Sequence, residues 1–182
     1  QRKATKDPAL SREAPPNKAG LTRLPKEALV YQRVENGEVL AIILPVEGKG
    51  LWSTLYGFIA LAPDTRTIEG ITFYEHGETP GLGDDIEIER SDWILGFDDL
   101  QLDSLPEKGW AVQRDGGEFD QFTGATVTPR AVVEAVHNAL IYFSENRETT
   151  VVDGEIHLGD SVEEKISLSE RFGLWISFYP FS

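Results

Sequence analysis

The sequence of 182 residues contains no cysteine and no methionine. Without cysteine the chain can form no disulfide scaffold, no cysteine-ligated zinc finger, no iron–sulfur cluster and no thiol nucleophile. Any redox activity would therefore have to come from a bound cofactor. Because residue 1 is not methionine, we expect that an upstream segment was removed, and either a signal peptide or a membrane anchor fits that expectation.

Basic residues are also scarce, since 17 Lys and Arg stand against 31 Asp and Glu, for a net charge of −14. This balance argues against a nucleic-acid partner, because such a protein needs a basic face to displace counterions from phosphates. Long apolar runs are missing too: those at 51–62 and 172–181 fall short of the ~20 residues that cross a bilayer. The length suits one domain with a genuine core.

Apolar and β-branched residues predict strands at 29–34, 38–45, 51–61, 67–74, 110–113 and within 172–181. Asn36-Gly37 predicts a type I′ hairpin turn between the first two strands, and Pro63-Asp64 and residues 115–117 predict further turns. The clearest helix spans 129–143, with Thr128 as its N-cap and Pro129 at its first position. Residues 86–97 are interpreted as a helix or an irregular segment.

Strands followed by a helix predict the α+β class, with helices packed on an antiparallel sheet. Four prolines among the polar residues at the start indicate a loose leader over 1–28. A domain is expected over 29–146. Residues 147–182 form a C-terminal extension of unknown role, expected to pack on the same domain.

Small and hydroxyl residues lead directly into the predicted helix, over 120–129. A helix N-terminus offers unpaired N–H groups and a partial positive charge, so this segment is a candidate phosphate site. An ordinary capped helix after a turn explains the same residues. The segment lacks the Gly-Lys-Ser/Thr ending of a Walker loop.

The second candidate is the loop over 77–83, Gly-Glu-Thr-Pro-Gly-Leu-Gly, which three glycines allow to approach a flat ligand closely. A surface turn is the alternative. A third candidate, residues 48–53, combines Lys49, Trp52 and Ser53, but a basic hairpin tip explains it equally well. The histidines show no zinc-binding spacing and no Gly-x-Ser-x-Gly elbow is present, so we expect neither a metal site nor a serine hydrolase.

Taken together, these segments resemble the FMN-binding domain found in the C subunit of the Na⁺-translocating NADH:quinone reductase and in the G subunit of the related Rnf electron-transport complex. The family motif Asp-x-x-Ser/Thr-Gly-Ala-Thr is matched by Asp120, Thr123, Gly124, Ala125 and Thr126. The glycine loop is matched in full by residues 77–83. The resemblance extends over about 39–143, with some segments closer to one of the two proteins and some to the other, so membership of either complex stays open.

The resemblance implies that Thr126 is joined to the FMN phosphate by a phosphoester bond, which a flavin transferase forms after recognising the motif through Asp120. It also implies a cofactor-binding set of Glu78, Thr79, Gly81, Leu82, Gly83, Thr123, Gly124, Ala125 and Thr128. Thr123 and Thr128 would supply hydroxyl donors to the phosphate. No catalytic acid or base is implied, because the redox chemistry belongs to the flavin.

The function so implied is that of a covalent-FMN electron carrier, working with the other subunits of an ion-translocating membrane oxidoreductase. The domain would face the periplasm and be held to the cell membrane by a preceding N-terminal helix. Two alternatives are a non-redox binding or assembly module that keeps the fold, and a soluble FMN-dependent reductase acting alone. The second lacks a nicotinamide-binding fingerprint.

The acidic residues also form a pattern, because eight of them follow the glycine loop between residues 84 and 103, whereas residues 123–128 carry no charge. We therefore expect an acidic outer surface around a neutral, hydroxyl-rich pocket. A phosphate ester would sit there beside a helix terminus with no opposing carboxylate.

Overall fold

The computed structural model describes residues 9, 11–13, 23–25, 27–145, 149–152, 155–158 and 175–180. Its strands are β1 (Ser11–Glu13), β2 (Arg23–Pro25), β3 (Glu27–Glu35), β4 (Glu38–Lys49), β5 (Thr54–Leu61), β6 (Ile68–Glu75), β7 (Thr149–Val152), β8 (Glu155–Leu158) and β9 (Trp175–Pro180). The α-helix α1 spans Val127–Glu145, and short 3₁₀ helices lie at Gly83–Ile86, Asp92–Phe97, Glu107–Gly109 and Gln113–Asp115. In this part of the chain no helix has both the length and the apolar character needed to cross a membrane.

The main sheet has the strand order β6-β5-β4-β3-β9. Strands β3 to β6 are antiparallel neighbours, whereas β9 pairs with β3 in parallel. The four-stranded antiparallel sheet with its helix confirms the α+β class and matches the predicted strand pattern. The parallel pairing of β9 with β3 was not predicted, because pairing between residues so far apart in the chain leaves no local signal in the sequence.

The hairpin between β3 and β4 turns at Asn36-Gly37, as predicted. Both residues have positive φ, 53° at Asn36 and 84° at Gly37. A type I′ turn requires this conformation at both central positions, and Asn-Gly adopts it at low cost. The local dipeptide therefore sets the pairs next to the turn, Glu35 with Glu38 and Val34 with Val39, before a bulge between Arg33 and Val34 shifts the register.

One face of the sheet packs against α1 to form the core. In β5 every second residue is buried, namely Leu55, Gly57, Ile59 and Leu61, which is the period of two that a half-buried strand requires. On β4, a Cβ atom at Gly48 would lie 3.1 Å from the carbonyl oxygen of Ala131. The glycine thus lets the first half of α1 lie directly on the strand.

The helix begins two residues earlier than predicted. It starts at Val127, so Thr128 lies inside the first turn and Pro129 occupies the third helical position. The prediction of Thr128 as the N-cap is wrong, because its hydroxyl donates a hydrogen bond to the carboxylate of Glu78 instead. Pro129 remains harmless there, since the first four N–H groups of a helix have no intrahelical partner.

The chain between β6 and α1 consists of turns and short 3₁₀ helices. Residues 86–97, for which a helix or an irregular segment was expected, contain the 3₁₀ helix Asp92–Phe97. The strand predicted at 110–113 is wrong, because only an isolated bridge joins Val112 to Phe119. Its apolar residues are buried as parts of the core: Trp110 and Phe119 pack with ring centroids 5.7 Å apart.

The predicted leader over 1–28 and the extension over 147–182 lie mostly outside the described residues. Their described parts form two short antiparallel ladders, β1 with β2 and β7 with β8, together with β9. The strand expected within 172–181 is present as β9. The domain boundaries stay predictions.

The half-buried Asp98 provides a test of this loop region. Its Oδ1 has no hydrogen-bond partner, and burial, with the charge of Asp99, raises the pKa of its carboxyl group. Because the folded pKa lies above the unfolded value of about 3.9, ionisation of Asp98 penalises the folded state, and stability falls as pH rises through this range. Asp98→Asn should melt about 1–3 °C higher than the wild type near neutral pH.

The measurement is a pair of thermal melts at neutral pH and at about pH 2.5, where Asp98 is largely protonated in both states. The stabilisation should vanish at the lower pH. The exposed Asp103→Asn change is the matched control and should leave the melting temperature unaltered. A stabilisation that is independent of pH would contradict this account of Asp98.

Candidate functional site

Two loops that are distant in sequence meet at the start of α1. The Thr128 hydroxyl donates a hydrogen bond to Glu78 Oε2, which joins the helix to the glycine loop over 77–83. Two glycines allow the loops to approach: a Cβ at Gly83 would lie 2.9 Å from Thr128 Oγ1, and a Cβ at Gly124 would lie 2.9 Å from Leu82 Cδ2. A larger side chain at Gly83 would push the loops apart, whereas at Gly124 the Leu82 side chain could move and the constraint is the φ of +84°.

Glu78 is the central residue of this contact, and its side chain is buried. Besides accepting from Thr128, its Oε1 accepts the backbone N–H of Trp52 over 3.2 Å. Its own N–H donates to Nδ1 of His76 over 3.2 Å. Because Nδ1 accepts, a neutral His76 carries its proton on Nε2, which lies 2.8 Å from Glu87 Oε1. Glu78 thus links the β4–β5 connection, the glycine loop and the helix.

The β4–β5 connection completes the site, although the motif residues do not predict it. The strand expected from residue 51 starts only at Thr54, so that Trp52 and Ser53 belong to a connection with exposed side chains. Trp52 Nε1 donates to Thr79 Oγ1 over 3.1 Å, and Ser53 Oγ accepts the N–H of Gly77 over 2.7 Å. The signal in the sequence was the aromatic and hydroxyl pair in the third candidate segment, residues 48–53.

The turn before α1 is closed by a bridge between Phe122 and Ala125. Gly124 has φ +84°, the conformation that a type II turn needs at its third residue. Trp93 holds the preceding segment: its Nε1 donates to the carbonyl oxygen of Asp120 over 2.8 Å, and its ring packs edge-on against Phe122. The turn is therefore positioned from outside by the 3₁₀ segment.

Thr126 stands directly before the first helical residue and is half-buried. In the described structure its hydroxyl makes no hydrogen bond, whereas that of Thr128 does. The nearby N–H groups of the first helical turn have no intrahelical acceptor, and the helix dipole adds a partial positive charge. The Thr126 hydroxyl thus lies unengaged at a position that favours a negative group.

The expectation of a pocket without carboxylates is wrong. Glu78 comes from the other loop to contact Thr128, which no charge pattern along the chain could show. The acidic surface expected after the glycine loop also has an exception, because Asp84 is buried. It accepts the N–H of Leu82 over 3.1 Å and pairs with Arg90, whose Nε lies 3.3 Å from Oδ2.

Exposed apolar side chains are present on all three segments that form the site. Trp52 is 67% exposed, Val127 38% and Leu82 36%. These residues come from the β4–β5 connection, the start of α1 and the glycine loop. Large apolar side chains exposed on neighbouring segments are typical of a ligand-binding or interaction surface when they form one patch. We call these three residues the apolar collar.

The structure thus brings most of the predicted site residues to one place, and their contact with a flavin stays a prediction. Glu78, Leu82, Gly83, Gly124 and Thr128 touch one another across the two loops. Thr79 contacts Trp52, and Gly81, with φ +74°, shapes the exposed end of the glycine loop. Ala125 closes the turn by its bridge, whereas the side chains of Thr123 and Asp120 are exposed.

Residues 50–141 match a family model described as "FMN-binding domain". Residues 128–182 match a second model, described as a protein of unknown function. The first match covers both loops, the β4–β5 connection and most of α1, so every element of the site described above lies inside it.

Relatives of the chain are named as the G subunit of an ion-translocating oxidoreductase complex. That from Pseudoalteromonas atlantica is 42% identical over 119 residues, which cover 65% of this chain and 55% of that protein. That from Cereibacter sphaeroides is 46% identical over 118 residues, which cover 65% and 53%. The chain thus spans about half the length of these curated relatives.

Among solved structures, the crystal structure of Shewanella oneidensis NqrC is similar, with a TM-score of 0.59 and 33% sequence identity. The match covers 75% of this chain and 65% of that chain.

Proposed function

The chain belongs to the FMN-binding domain family, and from this premise we propose that it is an electron carrier whose FMN is esterified through its phosphate to Thr126. The observation that carries the proposal is the meeting of the two motif loops at the start of α1, through Glu78 and Thr128. Thr128 is occupied by that contact. Thr126, the motif threonine next to the helix terminus, keeps a hydroxyl that makes no hydrogen bond in the described structure.

The phosphate end of FMN suits the surroundings of Thr126. A phosphodiester keeps one negative charge, which the free N–H groups and dipole of α1 would stabilise. Thr123 is exposed and would offer a further hydroxyl donor. Thr128 suits that role less well than expected, because its hydroxyl already donates to Glu78.

The ring end of FMN suits the apolar collar. Trp52, Leu82 and Val127 offer exposed apolar surface within reach of a group linked to Thr126, and stacking on an aromatic ring is favourable for a flat heterocycle. The Trp52 ring is held by its Nε1 hydrogen bond to Thr79. FMN would supply reversible electron transfer, while these residues would bind and orient it. The negative charge of Glu78 would disfavour added negative charge on a nearby flavin.

At the level of the whole protein, we propose a subunit of an ion-translocating oxidoreductase complex of the Rnf or Na⁺-pumping NADH:quinone reductase type. The names of the relatives support this assignment. Other subunits would deliver and accept the electrons, so the isolated domain would not turn over alone. We place the domain on the periplasmic side of the cell membrane, held by an N-terminal helix.

Covalent loading requires an activated flavin phosphate and a flavin transferase. With FAD as donor, Thr126 would supply the oxygen for the new bond to phosphorus, the phosphoanhydride would break, AMP would leave and the hydroxyl proton would pass to solvent. The products balance the reactants without any oxidant or reductant.

The test is to co-express the chain with a bacterial flavin transferase and to record its intact mass. We expect an increase equal to FMN less one water, and flavin fluorescence that survives denaturing electrophoresis. Expression without the transferase is the control and should give the unmodified mass. Unmodified mass with a transferase that labels another motif-bearing substrate would instead support the non-redox assembly module.

A further inference from the structure

A groove of about 730 Å³ is lined in part by Asp120–Thr123 and by none of the three residues of the apolar collar. Its apolar lining includes Trp93, Leu100, Leu105, Phe119 and Phe122. Its acidic lining is Asp85, Asp92, Glu118 and Asp120. None of the described residues that line it is Lys, Arg or His. The groove thus combines aromatic surface with four carboxyl groups and no compensating cation.

The groove is built into the motif turn. Trp93, which lines the groove, holds the carbonyl of Asp120 through Nε1 and packs against Phe122 with ring centroids 4.9 Å apart. Thr123 of the motif also lines the groove. A partner seated there would therefore touch residues 120–123, the first part of the motif.

The charge of the groove is accessible. Asp92, Glu118 and Asp120 are exposed, so they can meet a partner without a large desolvation cost. Two guanidinium groups pair with carboxylates outside the groove: Arg90 pairs with Asp84, and Arg130 makes two hydrogen bonds to Asp115, of 2.5 and 2.6 Å. The groove therefore favours a positively charged occupant.

We propose that this groove docks a Lys- or Arg-bearing surface of the flavin transferase that modifies Thr126, an inference that rests on the proposed function. Lys and Arg side chains have apolar stems and charged heads, which match the mixed lining of the groove. A guanidinium or ammonium over an aromatic ring gains a cation–π interaction in addition to its attraction to carboxylates. The groove would hold the enzyme on the motif, while the hydroxyl of Thr126 remains the reacting group.

The experiment measures flavin transfer to the purified full chain by a bacterial flavin transferase with FAD, at low and high salt. We expect the double change Asp92→Lys with Glu118→Lys to raise KM for the chain about tenfold at low salt, because it reverses two rim charges, and to leave kcat nearly unchanged. The difference in KM between this variant and the wild type should become smaller at high salt, where exposed charges are screened. The neutral pair Asp92→Asn with Glu118→Gln should raise KM by a smaller factor. Because these substitutions change the shape of the side chains little, this variant controls for misfolding of the lysine variant.

The matched control is Glu69→Lys with Asp103→Lys, which changes the net charge equally at exposed positions outside the groove. It should alter KM less than about twofold. Equal KM values for the groove and control variants would overturn the proposed docking in the groove while leaving the proposed function intact. A wild-type chain that accepts no flavin would overturn both.

Discussion

Replacing Thr126 with alanine should abolish covalent flavin attachment, with no labelled chain detected by intact mass after co-expression with a flavin transferase. The physical reason is that the ester oxygen is lost, and no neighbouring hydroxyl is placed to replace it. Thr128 donates to Glu78, and Thr123 lies on the exposed side of the turn. Because Thr126 makes no hydrogen bond in the described structure, the variant should keep its fold and its melting temperature within about 2 °C.

Three companion variants sharpen this result. Thr126→Ser keeps the hydroxyl and should be labelled, at a reduced rate. Thr126→Val keeps the shape and should not be labelled, which separates the role of the oxygen from that of packing. Thr123→Ala is the matched control within the motif and should be labelled at the same residue as the wild type, as shown by peptide mapping. A Thr126→Ala chain that still carries covalent flavin would refute the assignment.

Replacing Glu78 with alanine should give the largest loss of stability among the site residues, about 2–4 kcal/mol in denaturant unfolding. The buried carboxylate accepts from the Thr128 hydroxyl and from the N–H of Trp52, and removal leaves both donors without their partner. Flavin attachment should also slow, because the glycine loop and the start of α1 lose the side chain that joins them. The exposed Glu89→Ala change is the control and should cost less than about 0.5 kcal/mol.

A double-mutant cycle isolates the bond between Glu78 and Thr128. Thr128→Val alone leaves a buried carboxylate with one fewer donor, and we expect a coupling energy of about 1–3 kcal/mol between the two sites. Additive effects of the two substitutions would contradict the structural role assigned to this contact. The cycle uses unfolding free energies, so its outcome does not depend on any flavin being bound.

Local features of the sequence predicted local structure well. Asn36-Gly37 predicted its hairpin because both residues tolerate positive φ, and the spacing of apolar residues predicted the body of α1. The predictions failed where the structure of a short segment depends on residues that contact it in space but are distant in the sequence. Residues 110–113 have the apolar pattern of a strand, yet Trp110 and Val112 are buried by contacts with Phe119 and not by pairing in the sheet.

The two motifs pointed to the site, but they did not show how it is assembled. Thr128 was expected to cap the helix, a choice that considers only residues next to it in the chain. In the structure a carboxylate fifty residues away competes for the same hydroxyl. Trp52 and Ser53 also enter the site only because the β4–β5 connection folds onto the glycine loop.

Glycines, turn dipeptides and hydrophobic spacing act over a few residues, so the absence of cysteine, the α+β pattern and the position of Thr126 before a helix could all be read from the chain. The partners of buried polar groups could not, because a side chain removed from water takes whichever acceptor the packed elements bring to it. Glu78 beside Thr128 is such a pair, and the apolar collar and the acidic groove lined by Trp93 likewise combine residues that are distant in the sequence. Each depends on the sheet, the glycine loop and α1 lying together, and that arrangement turns two sequence motifs into one site.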